Sequence, residues 1–176
     1  MSLEWQQTHR IRKRTAPAKP KGKEDRVVSD VLLAIKPEHL ANIARQKKNH
    51  EYRNYRLGNG VERLWFYETR GSDNNGRAAI THIAVIPPDV RHTPGEVPTE
   101  PFGIGNEDFN AGLKESKYGY PVLELYELVK PVTLAEMKNS WDIGGAPMGW
   151  RYLRGGLWED RWGTEEGRDE KVKKLF

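Results

Sequence analysis

The chain reads as alternating short runs of apolar and polar positions. Val31-Leu32-Leu33-Ala34-Ile35 is a continuous apolar run of strand length. Lys36-Pro37 stops it, and Leu40, Ile43 and Ala44 follow at helical spacing, predicting a short helix over 37–47 with one apolar face. Lys48-Asn49-His50-Glu51-Tyr52-Arg53 is polar and reads as extended. Gly58-Asn59-Gly60 reads as a turn. Leu64 to Thr69 is rich in aromatic residues and predicts a strand, and a polar turn from Gly71 to Gly76 leads to another, Ala78 to Ile86. Residues 87–118 are rich in proline and glycine and form a long loop, with a short helix expected over 106–113. Tyr120 to Val129 reads as one strand. Thr133-Leu134-Ala135-Glu136 is a capping-box pattern that starts a short helix, and Gly149 to Leu153 is strand-like. Strand, helix, then several strands predict an α+β domain with a mostly antiparallel, curved sheet.

Length and charge divide the chain further. The 176 residues suit one domain with tails: a basic arm over 1–25, a domain over 26–154, and a charged C-terminal extension over 155–176, where Trp158 and Trp162 are spaced to pin it down. The net charge of +4 is unevenly held. Residues 1–23 carry seven Lys/Arg against Glu4 alone, leaving 22 basic and 24 acidic residues for the rest. The body therefore has no overall basic excess, and nucleic-acid contact by it is expected at a pocket rather than across a broad face. The arm, with Arg10, Arg12, Lys13 and Arg14, reads as disordered. It serves as a nuclear localisation signal or phosphate-binding arm, or is a solvated leader without a role.

Cysteine is absent, which excludes disulfides, zinc knuckles and thiol catalysis. No apolar run reaches membrane-spanning length and no secretory signal is evident, so an intracellular protein, nuclear or cytoplasmic, is expected. There is no phosphate-cradling glycine loop, H-E-x-x-H or G-x-S-x-G, and the five histidines are scattered, so neither metal nor cofactor is expected. The segment from Lys48 to Arg53 carries the most chemistry. On an extended chain Glu51 and Arg53 face one way, and Lys48 can join them from the preceding turn. The set suits a polar planar ligand, with Arg53 on a phosphate or carbonyl and Glu51 on a base amino group. It also fits a plain surface ion-pair ladder.

Several of these segments, in this order, resemble the ASCH domain of the PUA-like superfamily. Ile35-Lys36-Pro37-Glu38 is similar to the family's I-K-P-E opening, and Gln46 to Arg53 to its G-x-K-x-x-E-x-R hallmark, with Gln46 in place of the glycine. Tyr67-Glu68-Thr69 is similar to its Y-[AE]-[ST], Tyr118 onward to its later tyrosine strand, and Pro147 to Leu153 to its final P-Q-S-x-R-Y-L. The resemblance implies a PUA-like β-barrel with short flanking helices and a cleft beside the first helix that receives RNA, DNA or a nucleotide. Lys48, Glu51 and Arg53 would line that cleft. Lys36, Tyr67, Thr69, Trp150 and Arg151 fall in the same motifs and join them as binding residues, with Trp141 as a second stacking candidate. Trp65 and Tyr67 share one strand face, so a core role for that face would remove both as ligand platforms. Some relatives deacetylate N4-acetylcytidine with a lysine, a threonine and a glutamate. Lys48 matches the lysine, while Glu51 stands where the threonine would be. Others have been described as ribonucleases. As an enzyme, the chain would use Lys48 and Glu51. Glu51 is expected to keep Lys48 charged, which favours binding over proton abstraction.

Overall fold

A computed structural model describes residues 25–176. Thirteen elements follow in order: β1 (Arg26–Ile35), α1 (Pro37–Ala44), β2 (His50–Arg53), β3 (Arg63–Glu68), β4 (Ala79–Val85), α2 (Asn106–Asn110), β5 (Tyr118–Pro121), β6 (Glu124–Thr133), α3 (Leu134–Ser140), β7 (Trp150–Arg154), α4 (Gly155–Arg161), a 3-10 turn (Arg168–Glu170) and β8 (Val172–Lys174). The basic arm, with its expected disorder and localisation role, lies outside the described residues.

Six strands form one sheet in the order β7-β1-β3-β4-β6-β8, while β2 and β5 pair as a separate two-stranded sheet. β1 and β3 run parallel and the other neighbours antiparallel. The α+β class and the mostly antiparallel sheet are as expected. The barrel is not: β7 and β8 are edges, so the large sheet stays open. Register shifts at Val27/Val31, Phe66/Tyr67 and Ile80/His82 bend it without closing it.

Both faces of this sheet are buried, which explains apolar runs such as Val31 to Ile35. One face carries Val31, Leu33, Leu64, Phe66 and Leu125 against Leu40 and Ile43 of α1 and Tyr120 of β5. The other carries Leu32, Trp65, Tyr67, Ile83 and Leu128 against Met137 of α3, Leu157 of α4 and Trp162. Asp30, fully buried, accepts from Arg63 Nε at 2.9 Å and from Trp65 Nε1 at 2.7 Å, pairing charges inside the second layer. Among the described residues no helix is long and apolar enough to cross a membrane.

Two segments differ from the sequence reading. The strand expected over 120–129 is two strands in two sheets. Val122 donates its amide to Asn49 beside β2, and Leu123 donates to Val85 of β4, so the chain changes sheet between consecutive residues. Pro121, which lacks an amide to donate, ends β5 there. Residues 155–176 are built into the domain rather than appended to it. α4 and Trp162 fill the second layer, β8 pairs with β6, and Leu175 and Phe176 exchange backbone bonds with Leu125. Thr133 does cap α3, accepting from the Glu136 amide at 3.1 Å. Glu136 does not reach back; its carboxylate binds Arg161 and the Trp141 indole.

Candidate functional site

A cleft of about 340 Å³ opens between the end of β1, the start of α1, β2 and the loop before β5. Proline at the first turn of α1 ends β1 sharply. The helix then stops at Gln46, which takes a left-handed conformation (φ 58°), and the Lys48 amide returns to the Asn42 carbonyl at 3.1 Å. Gln46 thus makes the turn for which glycine is the easier residue. The turn delivers Lys48 to the cleft just before β2 begins.

Glu51 and Arg53 alternate correctly along β2 and face the cleft together. Arg53 Nε donates to Glu51 Oε1 at 2.8 Å, and its Nη2 donates to the Ala34 carbonyl at 2.7 Å. Glu51 is only 4% exposed, so the pair is not a surface ladder. Its second oxygen, Oε2, is buried without a hydrogen-bond partner, and Lys48 Nζ stands 3.9 Å away, too far to donate. Burial pushes the Lys48 ammonium below its ordinary lysine value; Glu51 opposes this, and Lys114 and Arg53 add to it. Glu51 acts on Lys48 in the expected direction, favouring the charged form, while removal of the ammonium from water acts against it more strongly than one carboxylate at 3.9 Å.

The long loop completes the site. Asn49 Oδ1 accepts from Asn106 Nδ2 at 2.8 Å, Asn49 Nδ2 donates to the Pro101 carbonyl at 3.1 Å, and the Ile104 amide donates to the Lys47 carbonyl at 2.8 Å. The Tyr52 hydroxyl donates to Asn106 Oδ1, and its ring packs on Phe109 at 4.4 Å. These contacts clamp the loop onto β2, so that Lys114 and Ser116 line the cleft, with Lys114 Nζ 4.9 Å from the Tyr52 ring centre. Neither residue was singled out in the sequence, where the length of the loop was the only signal. His39 and Tyr52 also line the cleft and were likewise missed.

Of the other sequence candidates, Lys36 and Thr69 line the cleft. Tyr67 points the other way, into the second layer beside Trp65, which removes both as platforms. Trp141 packs against that same layer, with its indole donating to Glu136 at 2.7 Å. Trp150 and Arg151 belong to a different groove, along β7. The structure therefore gathers Lys36, Lys48, Glu51, Arg53 and Thr69, and leaves Tyr67, Trp141, Trp150 and Arg151 outside.

No protein-family model and no curated protein sequence matches this chain. Solved structures do. A serine-to-alanine variant of ZmASCH from Zymomonas mobilis superposes with a TM-score of 0.52 at 17% identity, covering 77% of this chain and 94% of that one. A tyrosine-to-phenylalanine variant gives a TM-score of 0.52 at 15% identity, covering 75% and 95% respectively. Likeness over most of both chains at low identity shows that this chain has the ASCH fold.

Proposed function

We propose that the cleft binds the base and phosphate of a nucleotide, making the protein a reader of RNA or of a modified base. The observation that carries this reading is Glu51 Oε2, a buried acceptor without a donor in the wall of a polar cleft. A buried acceptor left unpaired costs about 1–3 kcal/mol, which a ligand N–H such as a base amino group would recover. Lys36, Lys48, Arg53 and Lys114 surround this single carboxylate, a cationic excess that favours a phosphate-bearing ligand. The volume lies at the small end of ligand pockets, suited to one nucleotide rather than a duplex. The basic arm would add salt-dependent affinity for longer RNA.

One observation favours a second reading, hydrolysis of an N-acylated base. The lowered Lys48 value makes a neutral amine more accessible near neutral pH. In that reaction Lys48 takes a proton from a water that attacks the acyl carbonyl. It returns the proton to the departing base nitrogen as the C–N bond breaks. The products are the free base and acetate.

Incubating the full chain with modified nucleosides and short RNAs, followed by mass spectrometry, separates the two. Retained, unconverted ligand that is lost in Lys48→Ala is the expected result. Conversion of N4-acetylcytidine to cytidine, lost in the same variant, would establish the second reading. Cleaved RNA, or neither retention nor conversion of any ligand, would reject both.

A further inference from the structure

A second groove, of about 840 Å³, lies along the free edge strand β7 and shares no lining residue with the cleft. Three arginines, Arg26, Arg151 and Arg154, line it together with Trp150, Tyr152 and Met148. We propose that this groove is a second binding site that carries the phosphate backbone of a single-stranded nucleic acid, with a base stacked at Trp150 or Tyr152.

Arg26 and Arg154 are direct cross-strand partners in the β1–β7 pair. Like charges placed opposite one another are destabilising, and an anion held between them reverses the sign. Arg151 adds a third guanidinium; burial holds its value below that of an ordinary arginine, and both Arg154 and Arg26 push it the same way. Asp142, 67% exposed, pairs with Arg154 at 3.6 Å and opposes the lowering of the Arg151 value from a distance. Arg154 Nε is buried without a partner, and no ion pair or side-chain hydrogen bond engages Arg26 or Arg151 among the described residues. Three cations are thus gathered about one exposed carboxylate that pairs with a single one of them.

The aromatic contribution is separate. Trp150 and Tyr152 stand edge to face at 5.0 Å and 78°, each partly exposed. Aromatic rings beside a cationic track are the usual equipment for single strands, since every base has a face to stack and every nucleotide a phosphate. Met148, 98% exposed, leaves an apolar side chain in solvent next to them. From Trp150 to Arg154 the strand rises about 13 Å, enough for several phosphates of a stacked strand. Trp150 lies opposite Leu33, one residue before Ala34 of the cleft, so the groove begins beside the cleft and leads away along the sheet edge. The proposal rests on the nucleic-acid reading for its ligand class alone.

The test uses the full chain, a fluorescein-labelled eight-nucleotide oligouridylate, its oligothymidylate counterpart, and uridine monophosphate as a probe of the cleft. The variant is Arg26→Gln/Arg151→Gln, which leaves the partly buried Arg154 untouched. Removing two mutually repelling charges should leave the melting temperature unchanged or raised. The oligonucleotide is expected to bind at least tenfold more weakly in anisotropy titrations, with the log–log salt slope reduced by about 1.4 for two lost phosphate contacts. Uridine monophosphate affinity should not move. A 5-bromouridine oligomer should photo-crosslink to Trp150 or Tyr152. Loss confined to the ribo- or the deoxy-oligomer would support the groove and identify which of the two it takes. Unchanged oligonucleotide affinity and slope in the variant, or no oligonucleotide binding by the parent, would overturn the proposal. Arginine-dependent oligonucleotide binding without mononucleotide binding would remove the cleft reading and leave the groove standing.

Discussion

Glu51→Gln perturbs the cleft at its one negative charge, and its cost follows from the geometry. The carboxylate lies 2.7 Å from Arg53 Nη2 and 3.9 Å from Lys48 Nζ. At an effective dielectric of about 20, such pairs are worth roughly 6 and 4 kcal/mol before desolvation is counted. Removing the charge also recovers several kcal/mol of carboxylate desolvation, and breaking a buried pair typically costs about 3–5 kcal/mol net. Glutamine still offers Arg53 an acceptor, which returns about 1 kcal/mol. The expected loss is about 2–4 kcal/mol, or roughly 5–15 °C in melting temperature for a chain of this size. Glu51 is also what holds the Lys48 value up against burial, Lys114 and Arg53, so that value should fall further in the variant. Thermal melts at pH 7 measure the first effect, and NMR titration of the labelled lysine Nζ measures the second. A variant as stable as the parent, with the Lys48 titration unmoved, would refute the argument that Glu51 is a buried counter-ion for both cations.

Three further outcomes rest on single contacts. Burial and the neighbouring His92 hold His50 down to about 4, below its ordinary 6.5. Between those pH values the unfolded chain binds a proton that the folded chain refuses. Stability should therefore be full above about pH 6.5 and fall by about 3 kcal/mol as the pH drops toward 4. His50→Gln should flatten this leg in urea titrations at pH 7 and 4.5, leaving a residual slope from His82, whose value burial also lowers; an unchanged profile would exclude His50. Gln46→Gly should stabilise by about 0.5–1 kcal/mol, since relief of the left-handed strain exceeds the added entropy of the unfolded chain; a lower urea midpoint would contradict it. Arg91, buried, donates to the carbonyls of Leu57, Gly58, Val61, Pro87 and Val90. Arg91→Ala should cost about 3–5 kcal/mol by orphaning them, and a cost under 1 kcal/mol would show that water replaces the guanidinium.

The parts of this fold that could be read from the sequence are the local ones. Pro37 behind an apolar run, the Thr133 cap and the alternation of Glu51 with Arg53 each act over a few residues, and each appears in the structure. Pairing between distant segments could not be read. The alternation over 122–129 continues the pattern of Tyr120, so nothing apolar or polar marks the change of sheet; Pro121 was the available signal. β8 is three residues long within a charged tail, too short for a periodicity. The motif order located Lys36, Lys48, Glu51, Arg53 and Thr69, but Lys114 and Ser116 reach the cleft only through the Asn49–Asn106 clamp, 57 residues apart. The motif order also pointed to Trp150, but Trp150 and the glycine-rich turn before it form a wall of the β7 groove, not of the cleft.

The central claim is that the buried cluster of Lys48, Glu51 and Arg53 receives a nucleotide. Isothermal titration calorimetry of a set of nucleoside monophosphates against the parent, Lys48→Ala and Arg53→Ala tests it most directly. Saturable one-to-one binding by the parent, weakened at least tenfold in both variants while their far-UV spectra stay native, is the expected result. Equal affinities in all three folded proteins, or no heat with any nucleotide, would contradict it.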